Sequence, residues 1–399
     1  MSTVMMDGPG ARSVSPAVRE PGAAWVVYTL LFCSACIIVG LLWDISWHMS
    51  IGRDTLWSPP HVLEQIGAGL AGLACGFVVL RTTLAGTEAQ RDRTVRFWGF
   101  RGPLGGWIAV WGAFAMIFSV PFDDWWHNAY GLDVEILSPP HIVLLLGMIG
   151  IQVGAMLLAL GVQNRATGSG AKRFGIAFAV AAAALMAMIL TALSEFMLRP
   201  NDWHSSLAYR VSGLAFPILL VGVARAGRLR YPATAAAALF MAFYLVPQWV
   251  ITQFPATPRL TPILNPLTNM AAFGFPLVLV VPALGIDWLV RTRDDIGDWR
   301  LATLIGILFV ATMAAVHWPF AEFLLKSPLA RNDVFLADHW PYGNELGSWT
   351  TQYFGTDVDA QGNWSAFAFA GGLGTAAVFA TLSARAGLAW GTWMRRVRR

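Results

Sequence analysis

The sequence predicts an all-α fold: a polytopic bundle of about ten transmembrane helices, with a parallel internal repeat relating helices 1–2 to helices 3–4. Three observations predict it. Of the 399 residues, 56% are hydrophobic and only 13% charged, against roughly 25% charged in soluble domains. Apolar runs of about 20 residues recur along nearly the whole chain, each long enough to cross roughly 30 Å of hydrocarbon as a helix. A motif of Asp, His, Ser and Pro also occurs twice, each time between two such runs.

Residues 1–23 are polar, rich in Pro and Gly, and lead into a run too long for the apolar core of a signal peptide, so a disordered cytoplasmic tail is expected there. Spans are expected at 24–47, 61–80, 104–122, 141–162, 174–198, 206–223, 232–252, 269–290, 301–324 and 364–384. Residues 24–384 then form one transmembrane domain, with repeat units 24–81 and 104–163, and 385–399 a basic cytoplasmic tail. Pro217, Pro247 and Pro276 fall inside spans, where neighbouring helices can re-satisfy the freed carbonyls.

Arginine clusters in alternate loops, Arg81 to Arg101, Arg165 to Arg173, Arg225 to Arg230 and Arg291 to Arg300, and again in the closing Arg395-Arg396-Val397-Arg398-Arg399. The positive-inside rule makes those loops and both termini cytoplasmic, in a bacterial-type inner membrane. The opposite loops are poor in basic residues and rich in Trp, Pro, Asp and His; the longest, 325–363, is expected to fold as a small outward cap. The implied partner is the lipid bilayer, and a net charge of +4 gives no indication of nucleic acid.

The first copy of the motif reads Asp44-Ile45-Ser46-Trp47-His48, then Gly52-Arg53-Asp54, then Ser58-Pro59-Pro60-His61. The second reads Asp123-Asp124-Trp125-Trp126-His127, then Gly131-Leu132-Asp133, then Ser138-Pro139-Pro140-His141. Asp and His four residues apart share a helix face, so Asp44 can converge with His48 and Asp123 with His127. Ser followed by two prolines is a helix start with Ser58 or Ser138 as N-cap, and side chains tilt toward the helix N-terminus, which lifts His61 and His141 to the level of each Asp. Glu64, one turn below His61, offers a further oxygen, whereas the second copy has Leu144 there and a loop one residue longer, so the principal metal is expected in the first copy and a partner site or structural relic in the second. Asp202-Trp203-His204 is a weaker third echo.

All seven histidines, His48, His61, His127, His141, His204, His317 and His339, map to the non-cytoplasmic side of this topology. One carboxylate with two or three imidazoles suits copper, zinc or iron, and no thiolate lies near either motif to favour a soft sulfur site. Cys33, Cys36 and Cys75 lie inside apolar runs, where neither a disulfide framework nor a zinc ribbon is available and small residues pack helix on helix. Haem fits less well, because bis-histidine ligation sets two imidazoles on facing helices inside the bilayer. Two other readings remain: Asp–His pairs that lock helix ends, and a transporter, for which Gln248 and Gln253 beside Pro247 are the polar signs.

The spacing Asp44-x3-His48-x12-His61 resembles the Asp-x3-His-x12-His metal element in the C subunit of the copper membrane monooxygenases that oxidise methane or ammonia. The resemblance covers about 18 residues and departs in the second copy, where thirteen residues separate His127 from His141. It implies metal-ligand roles for Asp44, His48 and His61, favours copper, and points to a membrane oxidoreductase. Since that family works as a three-subunit complex, it also leaves other membrane subunits or an oligomer open.

Overall fold

The computed structural model describes residues 21–52, 55–131, 138–194, 198–257, 267–293, 295–340 and 357–398. The expected tail over 1–20, the motif residues Arg53, Asp54 and Asp133, and the middle of the expected cap lie outside them. Among the described residues, nine helical stretches are long and apolar enough to cross a membrane. The chain is a multi-pass membrane protein.

The first four spans are α1 (Pro21–Ser50), α2 (Pro59–Ala85), α4 (Leu104–Tyr130) and α5 (Pro139–Arg165), with a one-turn helix α3 (Glu88–Arg91) after α2. A two-stranded antiparallel hairpin, β1 (Val95–Phe97) and β2 (Phe100–Gly102), stands where only a basic loop was expected. Then follow α6 (Gly168–Ser194), α7 (Ser206–Ala215), α8 (Pro217–Ala226), α9 (Pro232–Ile251), α10 (Val280–Thr292), α11 (Asp298–Lys326) and α12 (Ala366–Met394). Several helices outrun the apolar window that announces them, because a helix need not end where the hydrocarbon does: α4 continues eight residues past Phe122 and α12 ten past Ala384.

The bundle closes through neighbours: α2 packs on α1 and α4, α4 on α5, and α6 on α1, α5 and α9, while α12 packs on α7, α8 and α11. The innermost span is α6, and its run Ala181-Ala182-Ala183-Ala184 is fully shielded. Without a hydrophobic drive between helices in lipid, close packing of small residues holds them together. In α4 and α5, Cβ atoms added at Gly112 and Gly147 would each come within 2.8 Å of the facing backbone. Pro217 breaks the sixth span into α7 and α8, and Ser383 of α12 repairs the break: its Oγ donates to Leu214 O (2.7 Å) and accepts from Ile218 N (2.9 Å).

The expected eighth span is a correction. Only Val280–Thr292 is helical; residues 270–279 enter the bundle without helix, although Ala271, Ala272, Phe273, Phe275, Leu277 and Leu279 are buried. Gly274 has φ +136°, open only to glycine, and Pro276 removes a donor. In lipid such a stretch survives only if surrounding protein satisfies its backbone. Gln248 Oε1 accepts from Phe273 N (2.8 Å) and Gly274 N (3.1 Å), and its Nε2 donates to Gly274 O (3.0 Å). Ser46 Oγ donates to Ala271 O (2.6 Å), Ser50 Oγ accepts from Ala271 N (2.7 Å), and His317 Nε2 accepts from Val278 N (2.9 Å). Gln248 therefore lines no open path; its amide is spent on this segment.

Candidate metal centre

Both motifs sit where one helix ends and the next begins. Helicity persists through His48 and His127, so each Asp–His pair spans one turn of a single helix face. Pro59-Pro60 and Pro139-Pro140 start α2 and α5 with an extended Ser in front, as the sequence predicts, but neither Ser side chain caps its helix. Prolines at the first two positions leave hardly any backbone donor there to cap. Ser58 Oγ donates instead to Thr55 O (2.8 Å), and Ser138 Oγ lies 3.0 Å from His141 Nδ1.

The two motifs share one arrangement. Asp123 Oδ2 lies 3.4 Å from His127 Nε2, and its Oδ1 lies 3.5 Å from His141 Nε2. Asp44 Oδ2 lies 3.7 Å from His48 Nε2, and its Oδ1 lies 3.3 Å from His61 Nε2. Each carboxylate thus offers one oxygen to the histidine of its own helix and the other to the histidine of the next.

These separations are too long for hydrogen bonds between charged partners, which run about 2.7–2.9 Å. His339 Nε2 and Asp333 Oδ1, 2.8 Å apart at the same end of the bundle, show what such a bond looks like here. Two ligands each about 2.0–2.1 Å from a tetrahedral ion stand about 3.3 Å apart. Oδ1 of both Asp44 and Asp123 is shielded from solvent and accepts no hydrogen bond.

The rings are held from behind. His61 Nδ1 lies 3.0 Å from Thr55 O and His127 Nδ1 3.3 Å from Gly131 O. A carbonyl can only accept, so each Nδ1 carries a proton and each ring turns its Nε2 toward the carboxylate. Backbone carbonyls holding Nδ1–H are also the usual way a metal-binding histidine is oriented.

Among the described residues, the triad whose ligand atoms all lie within 4.8 Å of one another is Asp123, His127 and His141. The side chains of this triad are about one-third exposed, whereas His48 is 47% exposed at the rim of the first motif. Glu64 is buried one turn below His61, packed where Gly40 of α1 leaves room for it.

The remaining histidines are placed differently. His317 is consumed by the unwound segment, with Nδ1 donating to Met313 O (3.0 Å). His204 closes a 3-10 turn, Pro200–His204, with its Nε2 3.3 Å from Glu322 Oε1; Lys326 Nζ, 2.5 Å from the other oxygen, supplies the cation that a metal would otherwise be. Burial pushes the His204 pKa down. The indole N–H groups of Trp47 and Trp126, each one residue before a motif histidine and aligned in the repeat, are buried and donate to no acceptor.

No protein-family model, curated protein or solved structure matches this chain. The geometry carries the functional argument by itself.

Proposed function

We propose that this protein is a membrane metalloprotein that binds a transition-metal ion at Asp123, His127 and His141, with Asp44, His48 and His61 as a sister group. The observation that carries the reading is the pair of Nε2–carboxylate separations at Asp123, 3.4 Å from His127 to Oδ2 and 3.5 Å from His141 to Oδ1, with Oδ1 accepting no hydrogen bond. They suit a shared ion and do not suit direct bonding. A set of one oxygen and two imidazole nitrogens favours copper among divalent ions by the Irving–Williams order, ahead of zinc and iron, and the spacing of the first motif points the same way. Three protein ligands leave coordination positions open, which suits redox or oxygen chemistry on the outward face. The matching Ser-Pro-Pro-His helix starts support descent of the two hairpins from one duplicated unit, running parallel through the membrane.

Metal analysis of the full chain in mild detergent tests this. The wild-type protein is expected to retain copper after dialysis, His127→Ala with His141→Ala to lose it, and His48→Ala with His61→Ala to lose any second equivalent. Metal content indifferent to both pairs would sink the reading.

A second reading, transport, draws on the interrupted span at 270–279, since broken helices near the bilayer centre recur in transporters. It predicts metal-independent solute flux in proteoliposomes. The metal reading predicts none.

A further inference from the structure

The interface between α1 and α2 continues below the first motif as a column of metal-ligating side chains. On α1, His48, Asp44, Gly40, Cys36 and Cys33 follow one another at helical spacing and occupy about a third of the circumference. On α2, His61, Glu64, Ala68, Ala71 and Cys75 do the same. These faces meet: Glu64 packs over Gly40, and a Cβ on Gly67 would stand 2.9 Å from Cys33 O and 3.3 Å from Cys36 Cβ. Cys33 lies within electrostatic range of both Cys36 and Cys75, and all three thiols are free and buried.

At 1.5 Å per residue Cys33 lies about 16 Å below Asp44, and Cys75 about 21 Å below His61. Both depths fall inside the hydrocarbon. Small side chains at a close helix crossing explain the cysteines by packing alone. They do not explain Glu64, a carboxyl 2% exposed on the same face between the outer ligands and the thiols. Ionisable groups within a span are costly and mark ion or proton pathways.

We infer that the lower part of this column is a soft-metal site: Cys33 and Cys36, with Cys75 beneath them, take Cu(I). The proposal extends the metal reading of the outer motifs. Thiolate ligands select Cu(I), whereas the oxygen and imidazole ligands above suit Cu(II). Thiols three residues apart on one helix face are near enough for one ion to bridge them. One Cu(I) replacing the protons of two thiols releases two protons and leaves a single negative charge. Both protons pass to the solvent.

The full chain in detergent, reduced and anaerobic, is titrated with Cu(I) against bicinchoninate. The wild-type protein is expected to bind one equivalent more than Cys33→Ser with Cys36→Ser, and X-ray absorption of the loaded wild-type protein should show sulfur neighbours. The pair His127→Ala and His141→Ala should leave that sulfur signal unchanged, which separates this proposal from the outer-site reading. Only nitrogen and oxygen neighbours in loaded wild-type protein would overturn it, and so would a sulfur signal that persists without Cys33 and Cys36.

Discussion

A histidine's chemistry is decided by what lies behind its ring. At His61 and His127 Nδ1 faces a backbone carbonyl and Nε2 faces a carboxylate; at His317 Nδ1 is tied the same way, but Nε2 accepts a backbone N–H and is used up. The sequence shows all three only as histidine near a helix end. The Asp-x3-His and Ser-Pro-Pro-His spacings were enough to foresee which rings meet which carboxylate, because helical periodicity dictates it. Glu64 against Leu144 and the loop length rank the first motif as the principal one, yet among the described residues the triad that closes within 4.8 Å is the second, because that depends on the approach of separate helices. Asp202, beside His204, gives the residue-scale prediction. Burial raises its pKa from 3.8 to about 6, although its Oδ2 accepts from Arg199 N (3.0 Å). The folded state therefore favours the protonated acid: its stabilising effect is complete below about pH 3.8 and is lost as pH rises through 6. His204, with its pKa lowered, acts in the opposite sense and loses stability as pH falls through its ordinary 6.5. Comparing Asp202→Asn with wild type isolates the carboxyl: melting in detergent should rise on the order of 2–4 °C at pH 7.5 and not at pH 4. An unchanged difference at both pH values would refute the assignment.

At the scale of elements, the position of His141 relative to Asp123 is set by how closely α5 lies on α4. Gly147, six residues beyond His141, faces the α4 backbone; an added Cβ would stand 2.8 Å from Gly112 O and 2.8 Å from Met116 N. Those atoms are main chain and cannot turn aside. Gly147→Ala gains about 1 kcal/mol of helix propensity, but overpacking of this kind costs about 1–3 kcal/mol and tilts α5 away from Asp123. Metal affinity should fall at least several-fold, and thermal stability should not rise. Gly69→Ala on α2, where nothing stands within 4 Å, is the control: it keeps the propensity gain without the clash and should leave metal affinity unchanged. Equal metal retention in the two variants would show that this contact does not set the site. All ten expected spans were legible as apolar runs, and among the described residues nine are helical stretches long enough to cross a membrane, whereas the eighth was not legible as partly unwound. A hydropathy window scores Ala271 to Leu279 alike whether they are helical or extended. What unwinds them is supplied from elsewhere in the chain, by Gln248, Ser46, Ser50 and His317, and local sequence carries only Gly274 and Pro276 as warning.

For the whole molecule, the two ends of the bundle are chemically opposite. At one end the arginine loops interlock: Arg228 donates to Ala166 O (3.0 Å), Arg165 to Arg398 O (2.6 Å), Arg291 to Arg230 O (3.0 Å), and Arg225 pairs with Asp298 (2.7 Å). At the other end stand both Asp–His motifs, His204 with Glu322, and His339 with Asp333. Moving arginine-rich loops across a bilayer during insertion is disfavoured, so this asymmetry predicts the arginine end inside and the Asp–His motifs outside. The native cysteines are all buried, so a new exposed cysteine can be labelled above a low background. Asp333→Cys, 70% exposed beside His339, is expected to react with a membrane-impermeant maleimide added to intact cells. Arg91→Cys, in the loop that also holds the β1–β2 hairpin, should react only after permeabilisation. The reverse pattern would turn the motifs toward the cytoplasm, where a reducing environment holds copper as Cu(I), and oxygen ligands such as Asp123 would then be poorly matched to that ion.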